Sequence, residues 1–280
     1  MRELGPMTWV DRSQEEKVND RLVAARAHGE WTERTTTRKA VFAGLALAAS
    51  LVVAVFAGDI WLALLSDHRT ASGEQARVML PDGSTAWLNT DSAIGIDYSG
   101  KQRRIDLLRG EAYFAVSSNP HVPFVVSAGG HLTRAVGTAF AVRDKSSQVS
   151  VTVTEGRIEV LPEGSSSREK KAAGNVQAIA DQQVIYRSDG SAMSVKAVDS
   201  NMILAWRNGK IVFDDVSFES AIAELDRYRP GRILIAPTVA ANKLVSGVFS
   251  PASLDSAIGT LAAMQGLSVR NVTPYLTILH

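Results

Sequence analysis

Alternating apolar and polar residues dominate the middle of the chain. Residues 149–154 read VSVTVT, which is the two-residue period of a half-buried strand. Turn signals recur at short intervals, at Pro81-Asp82-Gly83, Ser99-Gly100, Arg109-Gly110, Gly129-Gly130, Glu155-Gly156 and Asp189-Gly190. No convincing helical period occurs in this stretch, so we predict an all-β domain over residues 76–198.

A different pattern begins after Trp206. Residues 211–213 form a short apolar run, and Ser217 is placed to cap a helix that follows. The apolar residues on one face of that helix are Phe218, Ala221, Ile222, Leu225 and Tyr228. Pro230-Gly231 ends the helix, and residues 233–235 predict a second strand.

The same strand-helix pattern returns later in the chain. Val212-Phe213 and the SFESAI sequence after it match Val248-Phe249 and the SLDSAI sequence at residues 253–258. Such self-similarity indicates an internal duplication, because one unit cannot bury its helix and strands alone. We therefore predict a small α+β domain of two βαβ repeats over residues 206–280.

The N-terminal part of the chain contains a long apolar segment. Residues 40–58 carry no charge, and the apolar character resumes after Asp59. A bilayer core of about 30 Å needs about 20 helical residues, so we predict a single transmembrane helix over residues 40–65. The preceding basic residues Arg34, Arg38 and Lys39 place residues 1–39 in the cytoplasm and the C-terminal bulk in the periplasm. A cleaved signal peptide is the alternative, although the apolar run exceeds a typical signal core.

Composition excludes several classes of function. The net charge is +1, with 30 basic and 29 acidic residues, which gives no electrostatic reason to expect nucleic acid as a partner. The absence of cysteine excludes disulfides, thiolate metal sites and a cysteine nucleophile. The five His show no metal-binding spacing, and no P-loop, GxSxG or dinucleotide motif occurs. We predict no metal, no cofactor and no enzyme activity on another molecule.

One dipeptide has a chemical alternative to a structural role. Gly137-Thr138 lies in a stretch that resembles a strand. A Thr hydroxyl can attack the preceding Gly carbonyl and form an ester that water cleaves, and Gly leaves that carbonyl unshielded. The competing interpretation is that the pair only packs in a strand, where Thr is favoured.

Several ordered blocks of the chain resemble the FecR family. Residues 80–89 (LPDGSTAWLN) resemble the block that opens the FecR domain, with Asp82, Gly83, Trp87 and Asn89 as motif residues. Residues 107–116 (LLRGEAYFAV) resemble the second block, with Gly110 and Glu111. The resemblance continues through residues 123–126, 136–142, 151–160 and 205–213. The C-terminal repeat is similar to the short domain found at the N-termini of secretins and TonB-dependent transducers.

The resemblance implies an inner-membrane regulator of an extracytoplasmic-function sigma factor. The family's cytoplasmic segment binds the sigma factor, which implies that role for the short helical segment 1–39 with Trp9, Leu22 and Trp31. The periplasmic part is implied to bind the signalling domain of a TonB-dependent outer-membrane receptor in iron uptake. Free sheet edges pair readily with other strands, and Val245, Val248 and Phe249 are candidate residues for that contact. Some family members are cut at a Gly-Thr bond, which implies self-cleavage between Gly137 and Thr138.

A second hypothesis remains for a protein with these features. The chain would be a membrane-anchored periplasmic docking or scaffold module that binds no sigma factor. The behaviour of residues 1–39 separates the two hypotheses, because a folded sigma-binding helix supports the first and a tail without such binding supports the second.

Overall fold

Strands are the commonest regular element in the part of the chain that the computed structural model describes, namely residues 20–21, 58–98, 101–163, 175–188, 193–237 and 243–280. The predicted β-rich character is confirmed. Residues 58–65 are helical, but the rest of the predicted transmembrane helix lies outside the described residues, as does nearly all of segment 1–39. Within the described ranges, no helix is both long and apolar enough to cross a membrane.

Residues 62–280 form one unit, and its N-terminal part is a β-domain of connected strands. The strands are β1 (His68–Arg69), β2 (Ala76–Met79), β3 (Thr85–Leu88), β4 (Ala93–Asp97), β5 (Arg103–Ala115), β6 (Phe124–Ala128), β7 (His131–Ala135), β8 (Ala139–Asp144), β9 (Gln148–Glu155), β10 (Arg157–Pro162), β11 (Val176–Ile179), β12 (Gln182–Arg187) and β13 (Ser194–Ala197). The first strand precedes the predicted start of the domain, and it pairs with β4.

The long strand β5 belongs to two layers of the β-domain. Its first half pairs with β4 and, in parallel, with β6. Its second half pairs with β3 and β8. One layer then continues from β6 through β7 and β10 to β11, and the other continues from β8 through β9 and β12 to β13. Large apolar side chains fill the space between the layers, among them Leu88, Ile105, Phe114, Phe124 and Phe140, each 0% exposed.

A short helical connector joins the β-domain to the rest of the unit. Helix α1 (Ser200–Ile203) begins at Asp199, whose carboxylate accepts hydrogen bonds from the backbone of the first turn. A 3₁₀ turn (Ala205–Asn208) follows and ends at Gly209. Trp206 in this turn is 5% exposed, so the connector buries a large aromatic side chain against neighbouring parts of the unit.

The C-terminal lobe follows the predicted order of strands and helices. Its elements are β14 (Ile211–Ser217), α2 (Phe218–Asp226), β15 (Arg232–Ile235), β16 (Leu244–Phe249), α3 (Leu254–Met264), β17 (Val269–Thr273) and β18 (Leu276–Leu279), with a 3₁₀ turn (Pro251–Ser253) before α3. Ser217 caps α2 through the backbone N–H of Ser220, as the sequence predicts. The predicted face of this helix is buried, including Tyr228 just beyond its end.

The two strands of each repeat lie in different sheets. Antiparallel β14 and β16 form one sheet, with the equivalent residues Val212 and Val248 paired. The other sheet has the order β15-β18-β17, and β15 and β18 are parallel. Each helix contacts strands of both sheets and also the other helix, so its apolar face is covered on more than one side. This arrangement buries Phe218, Ile222, Leu225, Ile258 and Leu261 in one core.

Candidate functional site at the junction of the β-domain and the C-terminal lobe

The first motif block makes a hairpin turn that also holds a buried ion pair. Asp82 and Gly83 lie in the turn between β2 and β3. Arg103 Nη1 donates to Asp82 Oδ2 at 2.5 Å, and Ser84 Oγ donates to the same oxygen at 2.6 Å. Burial alone would raise the pKa of Asp82, but the hydrogen bonds from Ser84 and Arg103 outweigh it and lower the pKa. This turn is therefore fixed to the edge of β5.

Gly110 marks the point at which β5 passes from one layer to the other. Its φ of +84° lies in the left-handed region, which side chains disfavour. A Cβ atom there would lie 2.4 Å from both the Asp91 carbonyl oxygen and Ser92 Oγ. Glycine is thus required at this position for two independent reasons, and the crossing sets the direction of the next residue, Glu111.

The two motif residues Asn89 and Glu111 form the base of the site. Glu111 is 2% exposed and Asn89 is 0% exposed. Asn89 Nδ2 donates to Glu111 Oε2 at 2.9 Å, and the backbone N–H of Asn89 donates to the Glu111 carbonyl at the same distance. Gln75 Nε2 donates to Asn89 Oδ1. A carboxylate and an amide are therefore held side by side within the β-domain.

Residues from outside the β-domain complete the hydrogen bonding of this pair. Trp206 Nε1 donates to Glu111 Oε1 at 3.0 Å. The Tyr228 hydroxyl accepts from Asn89 Nδ2 at 2.9 Å and donates to Asn89 Oδ1 at 3.1 Å. Arg227 Nη1 lies 3.7 Å from Glu111 Oε2. Asn89 and Glu111 thus connect the β-domain to both the connector and the C-terminal lobe.

A cluster of ion pairs lies beside Asn89 and Glu111 and also joins the β-domain to the C-terminal lobe. Arg143 of β8 pairs with Glu224 of α2 through Nη2 and Oε2. Arg227 Nη1 lies 3.0 Å from Glu224 Oε1. Burial alone would raise the pKa of Glu224, but the two guanidinium groups outweigh it and lower the pKa. The carboxylate therefore stays ionised to lower pH than an exposed one.

An aromatic and cationic stack covers the adjoining surface. The Trp87 and Tyr113 rings meet edge to face at a centroid distance of 5.5 Å. The guanidinium of Arg207 lies 3.6 Å from the Tyr113 centroid and 4.8 Å from the Trp87 centroid. Such cation–π contacts are favourable by about 0.5–1 kcal/mol at exposed sites. The motif residue Trp87 therefore serves the same junction as Asn89 and Glu111.

The dipeptide Gly137-Thr138 lies between β7 and β8 and not inside a continuous strand. The strand pairing breaks at residues 136–138, where Gly137 has a φ of +60°. Thr138 is 4% exposed, and its hydroxyl is buried without a hydrogen-bond partner. A Cβ atom on Gly156 would lie 2.7 Å from Thr138 Cγ2, so glycine at 156 leaves the space that this side chain occupies.

Residues 66–159 match the family model described as FecR protein. The chain contains a FecR domain. Two crystal structures described as a "putative anti-sigma factor" from Parabacteroides distasonis share its fold, with TM-scores of 0.65 and 0.64. Each is 22% identical to this chain, and each alignment covers 76% of this chain and 97% of the other. A search of curated proteins found no match.

The FecR domain contains all the predicted motif residues, and the structure gives them separate tasks. Asp82 and Gly83 build a turn, whereas Gly110 sets the crossing of β5. Asn89 and Glu111 come together, and Trp87 lies on the nearby surface. The sequence carries no signal for the roles of Arg143, Glu224 and Arg227, since a charged residue on a strand or helix normally faces solvent.

The residues proposed for receptor contact face in different directions. Val245 is 2% exposed and packs in the core of the C-terminal lobe, whereas Val248 is 63% exposed. Phe249 packs against Phe213 at a centroid distance of 5.6 Å. Of the three, Val248 alone presents most of its side chain to a partner. Strand β16 pairs with β14 on one side only within the described residues.

The remaining candidates can be placed only in part. Trp9, Leu22 and Trp31 lie outside the described residues. Within the described part of the chain, no group of three or more His, Asp or Glu side chains is arranged to hold a metal ion.

Proposed function

We propose that this chain is a single-pass inner-membrane protein that regulates a sigma factor in response to a signal in the periplasm. The observation that carries the proposal is the FecR domain at residues 66–159. The shared fold with structures described as anti-sigma factors over 97% of their length supports it. In this proposal residues 1–39 bind an extracytoplasmic-function sigma factor, with Trp9, Leu22 and Trp31 in the contact.

The periplasmic partner in this proposal is the signalling domain of a TonB-dependent outer-membrane receptor, in an iron-uptake system. The C-terminal lobe binds it through the exposed side of β16, where Val248 is available. The junction described above supports a route for the signal, because the lobe contacts the FecR domain through Tyr228, Arg227 and Glu224. Displacing the lobe would leave Asn89 and Glu111 without those partners.

The sigma factor is released when the chain is cut in steps, the last within the membrane segment. One helix transmits a conformational change poorly, whereas cutting it frees the cytoplasmic tail. Alanine and glycine are frequent over residues 40–58, and glycine lowers the cost of unwinding a helix for a protease. Self-cleavage between Gly137 and Thr138 is an earlier step, supported by the buried and unpartnered Thr138 hydroxyl.

Sigma-factor binding is tested by co-purification of the full chain with each sigma factor encoded in the same genome. Retention of one sigma factor by the full chain, and its loss when residues 1–39 are deleted, is the expected result. A chain that retains no sigma factor but still binds a receptor signalling domain would instead favour the docking or scaffold function.

Topology is tested separately with reporter fusions. A reporter active only outside the cytoplasm should work when fused after Ser167 and fail when fused at Trp31. The reverse pattern would contradict the proposed orientation and with it the assignment of partners to each side.

A further inference from the structure

A cleft opens at the junction, beside the ion pairs that join the two parts. Its volume is about 210 Å³. A single water needs at least about 10–15 Å³ of cavity, so the cleft has room for a ligand much larger than one water. An occupant of that size is a small molecule and not a folded partner.

The walls of the cleft divide into a cationic side and an apolar side. Arg143, Lys145 and Lys210 supply the charge, whereas Ile203, Trp206 and Phe213 are among the apolar lining residues. Ligand sites combine apolar walls with convergent polar groups, and this cleft has both in similar proportion. The two kinds of wall favour a ligand with one charged end and an apolar body.

The two lysines on the cationic side are exposed and carry no ion pair within the described part of the chain. Neither Lys145 nor Lys210 makes a side-chain hydrogen bond or ion pair with a described residue. Glu224 is the lining carboxylate, but its charge is already paired with Arg143 and Arg227. The positive charge of Arg143 lowers the pKa of Lys145, which indicates mutual repulsion that an anion would relieve.

Further donors lie on the same side. Arg143 Nε is buried and has no hydrogen-bond partner. Ser220, in the first turn of α2, lines both this cleft and an adjoining one of about 360 Å³. The first turn of a helix favours negative charge nearby. The unsatisfied donor and the helix start thus add to the two lysines.

We propose that this junction cleft binds a small amphipathic carboxylate, with its charged end toward Lys145, Lys210 and Arg143 and its apolar part along Trp206 and Phe213. Lys145 follows β8 in the FecR domain, Lys210 lies between the connector and β14, and Ser220 belongs to the C-terminal lobe. A ligand that contacts all of them is bound only while the lobe is docked. Its binding therefore stabilises the docked arrangement by mass action.

Octanoate is the probe, and the methionine methyl groups of the full chain in lipid nanodiscs are the reporters. Met202 lines the cleft, whereas Met79 is 78% exposed and lies in β2. In spectra of ¹³C-methyl methionine, with the Met202 signal assigned by Met202→Leu, octanoate should shift Met202 in a saturable way and leave Met79 unchanged. Octanol and inorganic phosphate, which each lack one half of the ligand, should bind at least about tenfold more weakly.

Charge variants decide whether the lysines are responsible. The double variant Lys145→Gln and Lys210→Gln should weaken octanoate binding at least about tenfold. Replacing both residues with Arg should retain binding. The control pair Lys196→Gln and Lys243→Gln makes the same change in net charge at exposed positions away from the cleft lining and should bind as the original chain does.

The proposal is overturned if octanol binds as tightly as octanoate, since the cleft would then be merely apolar. It is also overturned if Met202 does not shift at millimolar octanoate, if Met79 shifts in parallel, or if the glutamine pair leaves the affinity unchanged. The variant with both lysines replaced by Arg is the control for a folding defect, because it retains the charges and makes a comparable change in size.

Discussion

Truncation of Glu111 tests whether the junction depends on a single buried carboxylate. In Glu111→Ala, Trp206 Nε1 loses the partner 3.0 Å away, and Asn89 Nδ2 loses one of two acceptors. An orphaned buried donor costs about 1–3 kcal/mol. The cost for Trp206 Nε1 lies near the upper end of that range, because this donor loses its partner. The cost for Asn89 Nδ2 lies near the lower end, because the Tyr228 hydroxyl remains as its acceptor.

The expected loss in free energy of unfolding is therefore about 3–4 kcal/mol. Arg227 adds little to this sum, since it keeps Glu224 at 3.0 Å. The measurement is urea denaturation of the full chain, followed by circular dichroism. Glu155→Ala is the matched control: Glu155 is exposed and its side chain has no partner among the described residues, so the cost should stay within about 0.5 kcal/mol.

A double-mutant cycle with Trp206→Phe separates the hydrogen bond from the packing. Removing the indole N–H should cost less in Glu111→Ala than in the original chain, because the donor is already unpaired there. We expect a coupling energy of about 1–2 kcal/mol. Additive effects, or a Glu111→Ala variant as stable as the Glu155→Ala control, would refute the assignment of Glu111 as the centre of the junction.

Further predictions concern the strand crossing, the pH dependence and self-cleavage. Gly110→Ala should lower the stability by more than about 3 kcal/mol in thermal unfolding, since its Cβ would clash at 2.4 Å. Gly209→Ala, with φ +66° but nothing within 4 Å, should cost only about 1 kcal/mol; equal losses would contradict the clash. Because the folded pKa of Glu224 is lowered from 4.5, its stabilisation is present above that pH and is lost as pH falls through the folded pKa. Glu224→Gln should thus be less stable than the original chain at neutral pH and should lose less stability on acidification. A variant whose stability falls with pH in parallel with the original chain would contradict this role of Glu224. The full chain should separate into two bands on denaturing gels without added protease, Thr138→Ala should give one band, and Thr138→Ser should still be cut; equal cutting of Thr138→Ala would exclude the hydroxyl as nucleophile.

The sequence determined much of the local structure, because periodicity and capping act over a few residues. The alternation at 149–154 predicts β9, and Ser217 with the apolar face behind it predicts α2 and its buried side. The match between Val212 and Val248 predicts two similar units. The motif blocks around Asp82 and Glu111 indicate the FecR family before any contact is known.

Some local predictions were incomplete, because tertiary pairing overrides local preference. Residues 136–142 resemble one strand, yet the strand structure is interrupted at residues 136–138. The reason is that β7, before the interruption, and β8, after it, belong to different layers. Each repeat resembles a βαβ unit, yet its two strands lie in different sheets, since both helices need apolar cover on more than one side. Tyr228 is on the predicted core face, but its hydroxyl also reaches Asn89.

Only the tertiary structure decided which residues form the site. Glu111 and Trp206 are separated by 95 residues, and Asn89 and Tyr228 by 139. No periodicity extends over such separations, and a lone Glu or Arg on a strand or helix predicts a solvated side chain. These charges are buried because the crossing of β5 at Gly110 and the docking of α2 bring opposite charges and hydrogen-bond donors to the same place, where each offsets the desolvation of the other.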